Sequence, residues 1–365
     1  MKKWFYLIMI AMNLAVAALL VVVFLHYYKV DIYKKTTSEF YQQLMDVQVK
    51  HTGDGYGAAI GKTDIDKFDY RKPHPYSGFK TQASTETVSH DGKLTISTNR
   101  LGQRSPDLPE VKTARRIAIV GGSVAFQGSS NDKSIIAQLA GLLTEHGIKT
   151  DYINTGVLSF ISDQELSVLV HDLLKQQVDT VIAFDGFNDI HSIMYFNGRV
   201  GWPPIRWDNF GEKFTDHMGQ LVPSYYPPIK PMLDRSPVDR IDAALNNYLE
   251  NIKIMARICQ AFGIRFIACL QPVRGFAPVK CALGDKIGNE LGRKDYFFCR
   301  VRSTFEEWNA ERLYGGNYLS FIDFFKDDQK VFIDECHFSD AGNGQVAARL
   351  FSVLNENAPP PATGQ

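Results

Sequence analysis

Four short stretches of this chain carry the side chains that acyl transfer needs. Gly121-Gly122-Ser123 ends an apolar, β-branched run, Asn154-Thr155-Gly156 ends a second run, and Gly186-Phe187-Asn188-Asp189 follows a third. Asp334-Glu335-Cys336-His337 comes just before the final apolar helix pattern. A serine hydroxyl is a poor nucleophile until a base takes its proton; an imidazole does this near neutral pH, and a carboxylate fixes the imidazole's tautomer. Ser123, His337 and Asp334 are the candidates for those roles. The tetrahedral intermediate also needs donors aimed at its oxyanion. The backbone N–H groups of Ser123 and Gly156 and the side-chain amide of Asn188 are the candidates.

Other uses of a glycine-rich turn fit less well. A phosphate-binding loop needs Lys and then Ser or Thr after its last glycine, but Gly128 is followed by Ser129 and Ser130. A dinucleotide-binding turn needs glycine where Ser123 stands, and the nucleophile elbow of the α/β-hydrolases needs glycine where Ala125 stands. Taken singly, Ser123 could cap the next helix, Asn188 could be a turn former and His337 a surface residue. Asp185 and Asp189 could be paired glycosidase carboxylates. Asp334, Glu335, Cys336 and His337 could ligate a metal, although the chain has no recognisable partner cluster for them.

A regular framework must hold these stretches. From Arg116 onward the pattern alternates strand and helix, with strands ending near Val120, Asn154, Phe184 and Leu270 and a fifth at Tyr318 to Ile322. Helices are expected from Asn131 to Gly147, after a Ser162/Glu165 capping box, from Pro237 to Gly263, and from about Ser339. Such alternation implies a three-layer α/β/α domain around a central, mostly parallel sheet, where ligands bind outside the carboxyl ends of the strands. All four stretches then share one rim.

On those residues, in that order, the chain resembles the SGNH, or GDSL-like, hydrolases, serine esterases with a flavodoxin-like sheet. The resemblance runs from about Arg116 to Leu354. Gly-Gly-Ser123 is similar to the family's Gly-Asp-Ser block with Gly122 in place of Asp, and Gly156 is similar to the glycine of the second block. Gly186-x-Asn188-Asp189 and Asp334-x-x-His337 are similar to the third and last blocks. The resemblance implies Ser123 as nucleophile, Ser123, Gly156 and Asn188 as oxyanion donors, His337 as base and Asp334 as its orienting carboxylate. It implies no metal and no nucleotide cofactor.

Lys plus Arg and Asp plus Glu both number 40, and no long basic run is present, so nucleic acid is not an expected partner. From Trp4 to Leu25 no residue is charged, which satisfies the need for about 20 apolar residues to span a bilayer. Because Leu19 to Leu25 continue the apolar run beyond the cleavage-like Ala15-Val16-Ala17, an uncleaved single-pass anchor is expected. Lys2 and Lys3 then favour a cytoplasmic N-terminus with the remaining chain outside. Cys281 and Cys299 bracket a glycine-containing segment and are expected to pair in that oxidising compartment. Cys259 and Cys269 are expected to be buried as small hydrophobes.

The expected organisation is an anchor over 1–28, a stalk and irregular region over 29–113, the hydrolase-like domain over 114–356, and a disordered tail over 357–365. An insertion over 190–236, with Trp202, Trp207, Tyr225 and Tyr226, reads as a sugar-binding wall or a lid. The expected function is a membrane-anchored serine hydrolase on the periplasmic or extracellular side. Its substrate is an ester carried by a glycan, lipid or small molecule. One alternative is an O-acyltransferase using the same residues on an extracytoplasmic polysaccharide, which would need a partner protein to bring an acyl donor across the membrane. Another is a catalytically silent, anchored glycan-binding module.

Overall fold

The computed structural model of the chain describes residues 71–74, 76–88, 95–195, 200–201, 237–276, 281, 290–326 and 331–356, all within the unit Phe68–Gln365. Two antiparallel pairs come first. β1 Arg71–His74 pairs with β2 Gly78–Thr81, and β3 Glu86–Val88 pairs with β4 Thr95–Ser97. Then follow β5 Arg115–Gly121, a single turn α1 Ser123–Phe126, α2 Ile135–Glu145 and β6 Thr150–Asn154. α3 Ser162–His171, β7 Thr180–Asp185, α4 Phe187–Tyr195 and α5 Pro237–Ala261 continue the alternation. β8 Arg265–Leu270, α6 Glu290–Glu311, β9 Asn317–Ser320 and α7 Asp340–Glu356 complete it.

The main sheet has the order β6-β5-β7-β8-β9, and every neighbouring pair in it is parallel. Its central strands are apolar because both faces are covered: β7 is buried at every residue, and β5 at all but its first. The chain steps from β5 outward to β6, then back across β5 to β7. With right-handed crossovers, that reversal puts the connecting helices on opposite faces. α2 and α7 pack together on one face, while α3, α4 and α6 pack against α5 on the other. Leu139 and Leu143 of α2 and Val346 and Leu350 of α7 are fully buried, each worth about 1.5–3 kcal/mol. The reversal also opens a crevice at the carboxyl ends of β5 and β7, the usual ligand position in an open parallel sheet.

Several local expectations differ from what the chain does. The helix expected from Asn131 is a 3₁₀ turn, Asn131–Lys133, followed by α2, while Ser123 opens its own one-turn helix. Ser162 and Glu165 form no capping box: Ile161 occupies the cap, and its N–H donates to Gln164 Oε1 at 3.2 Å. Glu165 is fully buried instead. Arg71–His74 and Gly78–Thr81, expected as irregular chain, are paired strands, whereas Leu94 to Thr98 alternates like the short strand that β4 forms. Phe79 of β2 is 1% exposed and stacks edge-on against Phe160. The Cys281–Cys299 disulfide is formed, with Cα atoms 5.3 Å apart, and Cys259 and Cys269 are both buried. Among the described residues no helix is long and apolar enough to cross a membrane. The anchor at residues 4–25, the stalk, most of the insertion and the tail lie outside the described residues.

Candidate active site

Ser123, Asp334 and His337 meet at the carboxyl edge of the sheet. The Ser123 hydroxyl donates to His337 Nε2 at 2.6 Å, and His337 Nδ1 donates to Asp334 Oδ2 at 2.7 Å. The other carboxylate oxygen, Asp334 Oδ1, accepts the main-chain N–H groups of Cys336 at 2.9 Å and His337 at 2.8 Å. The carboxylate therefore organises its own loop as well as the imidazole. Burial alone would raise the Asp334 carboxyl, but its bonds with His337 prevail and hold its pKa below the ordinary value. Burial acts on His337 in the opposite sense and would lower it; Cys336 and Asp334 beside Nδ1 outweigh this and hold its pKa well above the ordinary value.

The two loops are tied to each other by further contacts. Gln127 Nε2 donates to Phe338 O at 2.8 Å, and the Ser129 N–H donates to Asp340 Oδ1 at 2.9 Å. Arg104, 1% exposed, donates to Phe126 O at 2.5 Å and to Gly128 O at 2.8 Å, taking up one carbonyl at the end of α1 and one just past it. These residues fix the Ser123–His337 register. Sequence reading missed them because a glutamine and an arginine carry no signal until the chain segments meet.

Glycines explain how closely the neighbouring loops approach. A Cβ at Gly121 would overlap Phe184 O, and one at Gly122 would overlap the Asn188 side-chain amide. Asn188 thus stands against the backbone that carries Ser123. One N–H of its amide donates to Phe160 O at 2.8 Å, leaving the second. Gly156 does not have the assigned role. Its N–H already donates to Asn154 Oδ1 at 2.9 Å, so it is not an available oxyanion donor. A Cβ there would come within 2.6 Å of Phe126 N, so this glycine is needed for close packing under α1. Asn154 Nδ2 meanwhile donates to Ala125 O at 2.9 Å. The residue that sequence reading overlooked in this loop is Ser159. It adopts φ 65°, and its N–H has no protein acceptor among the described residues. Left-handed backbone at a non-glycine residue is a strain often stored at functional sites.

Behind Asn188 lie three buried acids. Asp189 accepts the Ser162 hydroxyl at 2.6 Å, Asp185 accepts the Tyr248 hydroxyl at 2.6 Å, and Glu165 is close enough to Asp185 to interact with it. Burial and then the Asp185 charge push Asp189 up to about 8, and burial followed by Asp185 raises Glu165 well above its ordinary value. A sealed carboxyl that keeps its proton, as Asp189 does, does not form the open acid pair of a glycosidase with Asp185. The three acids brace the turn that carries Asn188. A stability effect follows. The native state keeps the Asp189 proton to about pH 8, whereas the unfolded chain releases it near pH 3.9, so its contribution is full below that lower value and is lost as pH rises through the native one. Asp189→Asn keeps an acceptor for Ser162 without the charge. Denaturant unfolding at pH 5 and pH 8 should therefore show the variant gaining on the parent by about 1.4 kcal/mol per pH unit. An equal difference at the two pH values would contradict this account.

His191 lies on α4, 5.0 Å from the Phe187 ring. Burial, then Lys294, lowers its pKa to about 3, so it stays neutral beside the triad. Lys294 itself sits 4.5 Å over the Phe187 ring and pairs with Glu335.

No family model matches this chain, and no curated protein matches it. Solved structures similar to it include an acetyl xylan esterase, AlAXEase, at 15% identity, covering 66% of this chain and 99% of the other, with a TM-score of 0.42. A lipase/acylhydrolase from Enterococcus faecalis is 15% identical over 67% of this chain and 98% of the other, with a TM-score of 0.40. A mutant acetyl-xylooligosaccharide esterase from Geobacillus Stearmophilus is 14% identical over 70% of this chain and 100% of the other, with a TM-score of 0.41.

Proposed function

We propose that this chain is a serine hydrolase of the SGNH type that cleaves an ester through an acyl-enzyme on Ser123. The observation that carries the reading is the unbroken hydrogen-bond line Ser123–His337–Asp334, with distances of 2.6 and 2.7 Å, at the crevice of a parallel sheet. Ser123 Oγ attacks the ester carbonyl carbon as its proton passes to His337 Nε2; Asp334 stabilises the imidazolium that results. The developing oxyanion is met by the Ser123 N–H, by the second amide N–H of Asn188 and by the N–H of Ser159, which replaces Gly156 in this role. His337 then protonates the leaving alcohol. Water, deprotonated by the same imidazole, attacks the acyl-enzyme and releases the acid.

Covalent labelling of the purified chain with a fluorophosphonate probe tests the enzyme reading, and a product assay with and without sugar acceptors separates hydrolase from transferase. Labelling at Ser123 and acid release independent of acceptor are expected. A silent binding module would not label.

Asn188 is expected to act on rate rather than on folding. Asn188→Ala should lower kcat about 100-fold or more through loss of an oxyanion donor. Gly122→Ala should do nearly the same, because the added methyl takes the space of the Asn188 amide while Ser123 and His337 remain. Steady-state kinetics on one ester substrate would check both. Full activity in Gly122→Ala would show that the amide's present position does not matter.

The membrane-anchored, extracytoplasmic location is part of the same proposal. It is supported by the uncharged run from Trp4 to Leu25 and by the Cys281–Cys299 disulfide, a bond favoured in oxidising compartments. A reporter fused after Leu354 and active only in the cytoplasm would overturn the orientation.

A further inference from the structure

Cys336 is a buried thiol that the proposed reaction does not use. Its Sγ lies 3.6 Å from His337 Nδ1, on the side of the ring that faces Asp334. One donor atom from each of Asp334, Cys336 and His337 fits within a sphere of contact in which all lie within 4.8 Å of one another. Tetrahedral zinc places sulfur and nitrogen ligands about 3.6 Å apart and nitrogen and oxygen ligands about 3.4 Å apart. The Sγ to Nδ1 separation already has that value; a cation must open the 2.7 Å between Nδ1 and Asp334 Oδ2 by about 0.7 Å and draw the sulfur and the carboxylate oxygen, now within 4.8 Å of one another, about 1 Å closer. Asp334 Oδ1 is held by two main-chain N–H groups, which orients Oδ2 as an outer partner orients a metal ligand. The side chains of His337 and Asp334 are 16% and 11% exposed, and Cys336 is 6% exposed.

We propose that Asp334, Cys336 and His337 form an inhibitory site for a thiophilic divalent cation of the zinc class. The inhibitory effect rests on the serine-hydrolase reading above; the binding does not. On binding, the cation takes Asp334 Oδ2, the Cys336 sulfur and His337 Nδ1, with water as a fourth ligand. The thiol releases one proton to solvent, since a coordinated thiol is deprotonated outright. Nδ1 gives up its proton, the ring keeps a single proton on Nε2 with any second one released to solvent, and nothing is oxidised or reduced. Nε2 then presents an N–H to Ser123 and has no lone pair to accept the hydroxyl proton. The same cation also takes Asp334 away from stabilising an imidazolium. The nucleophile is silenced without anything entering the substrate crevice.

The test uses the full chain in detergent, titrated with Cd²⁺ or Zn²⁺, with two readouts. One is the ultraviolet thiolate-to-cadmium charge-transfer band; the other is the rate of fluorophosphonate labelling at Ser123. The band should appear with one Cd²⁺ per chain, Zn²⁺ should slow labelling, and a chelator should restore it. In Cys336→Ala, and in Cys336→Ser as the less disruptive change, the band should vanish. The Zn²⁺ concentration that halves labelling, relative to each variant's own metal-free rate, should rise about tenfold or more. Absence of the band in the parent, or equal Zn²⁺ sensitivity in parent and both variants, would overturn the proposal. A parent that never labels but shows the Cys336-dependent band would sink the hydrolase reading and the inhibition while leaving the cation site in place.

Discussion

Ser123→Ala and His337→Ala should each remove nearly all turnover, and the double variant should be little worse than either. The reason is that the hydroxyl and the imidazole act as one unit across a single 2.6 Å bond, so removing either leaves the other without a task. Where a serine, an imidazole and a carboxylate act as one unit, such losses are on the order of 10⁶-fold in kcat, with a residual rate from binding and the oxyanion donors. Folding should hardly change. Ser123 and His337 are only partly buried, and the main-chain bonds that shape the His337 loop survive truncation of its ring. Among them are Ile333 N–H to His337 O at 2.8 Å and His337 N–H to Asp334 Oδ1 at 2.8 Å. Single-turnover rates of the three variants, measured beside their melting temperatures, check the prediction. An unaltered rate in folded Ser123→Ala would remove the functional reading as a whole.

What could be read from residue order was whatever local chemistry dictates. The strands of the main sheet are legible because a strand buried on both faces must be apolar, as Val181 to Phe184 are. The set Ser123, His337 and Asp334 is legible because Ser123 follows a strand and opens a helix, Asp334 and His337 lie in the loop just before the last helix, and a parallel sheet gathers such positions on one edge. The assignment of Gly156 failed for a physical reason: an Asx turn from Asn154 consumes its N–H, and nothing in the sequence Asn154-Thr155-Gly156 distinguishes that turn from a free donor. Ser159 escaped notice because a serine at φ 65° looks like any other serine until the turn is seen. Ser162 looked like a helix cap, yet its hydroxyl serves Asp189, a partner 27 residues away. Arg104 likewise has meaning only when its segment crosses the loop after α1. Long-range bonds of this kind depend on which pieces the fold places together, and no periodicity encodes them.

Replacing Asp334 by Asn separates chemistry from folding more sharply than any other change at this site. The asparagine carbonyl can stand where Oδ1 stands and accept the N–H groups of Cys336 and His337, now at 2.9 and 2.8 Å, so the loop keeps its shape. Its amide nitrogen then faces His337 Nδ1 where a carboxylate oxygen accepted a proton at 2.7 Å. Two donors cannot face each other, so Nδ1 gives up its hydrogen and Nε2 takes it. The imidazole becomes a donor toward Ser123 and loses its capacity as a base, and the imidazolium of the transition state loses its counter-charge. Turnover should fall about 10⁴-fold with little change in melting temperature. Asp334→Ala should behave differently, because it also strands the two main-chain N–H groups and so should cost about 1–3 kcal/mol of stability in addition to activity. Measured together, kcat/KM and the melting temperature distinguish the cases: activity alone falls in the asparagine variant, and both fall in the alanine variant. An asparagine variant that keeps more than about a tenth of the parent's rate would show that Asp334 shapes the loop but does not set the tautomer of His337.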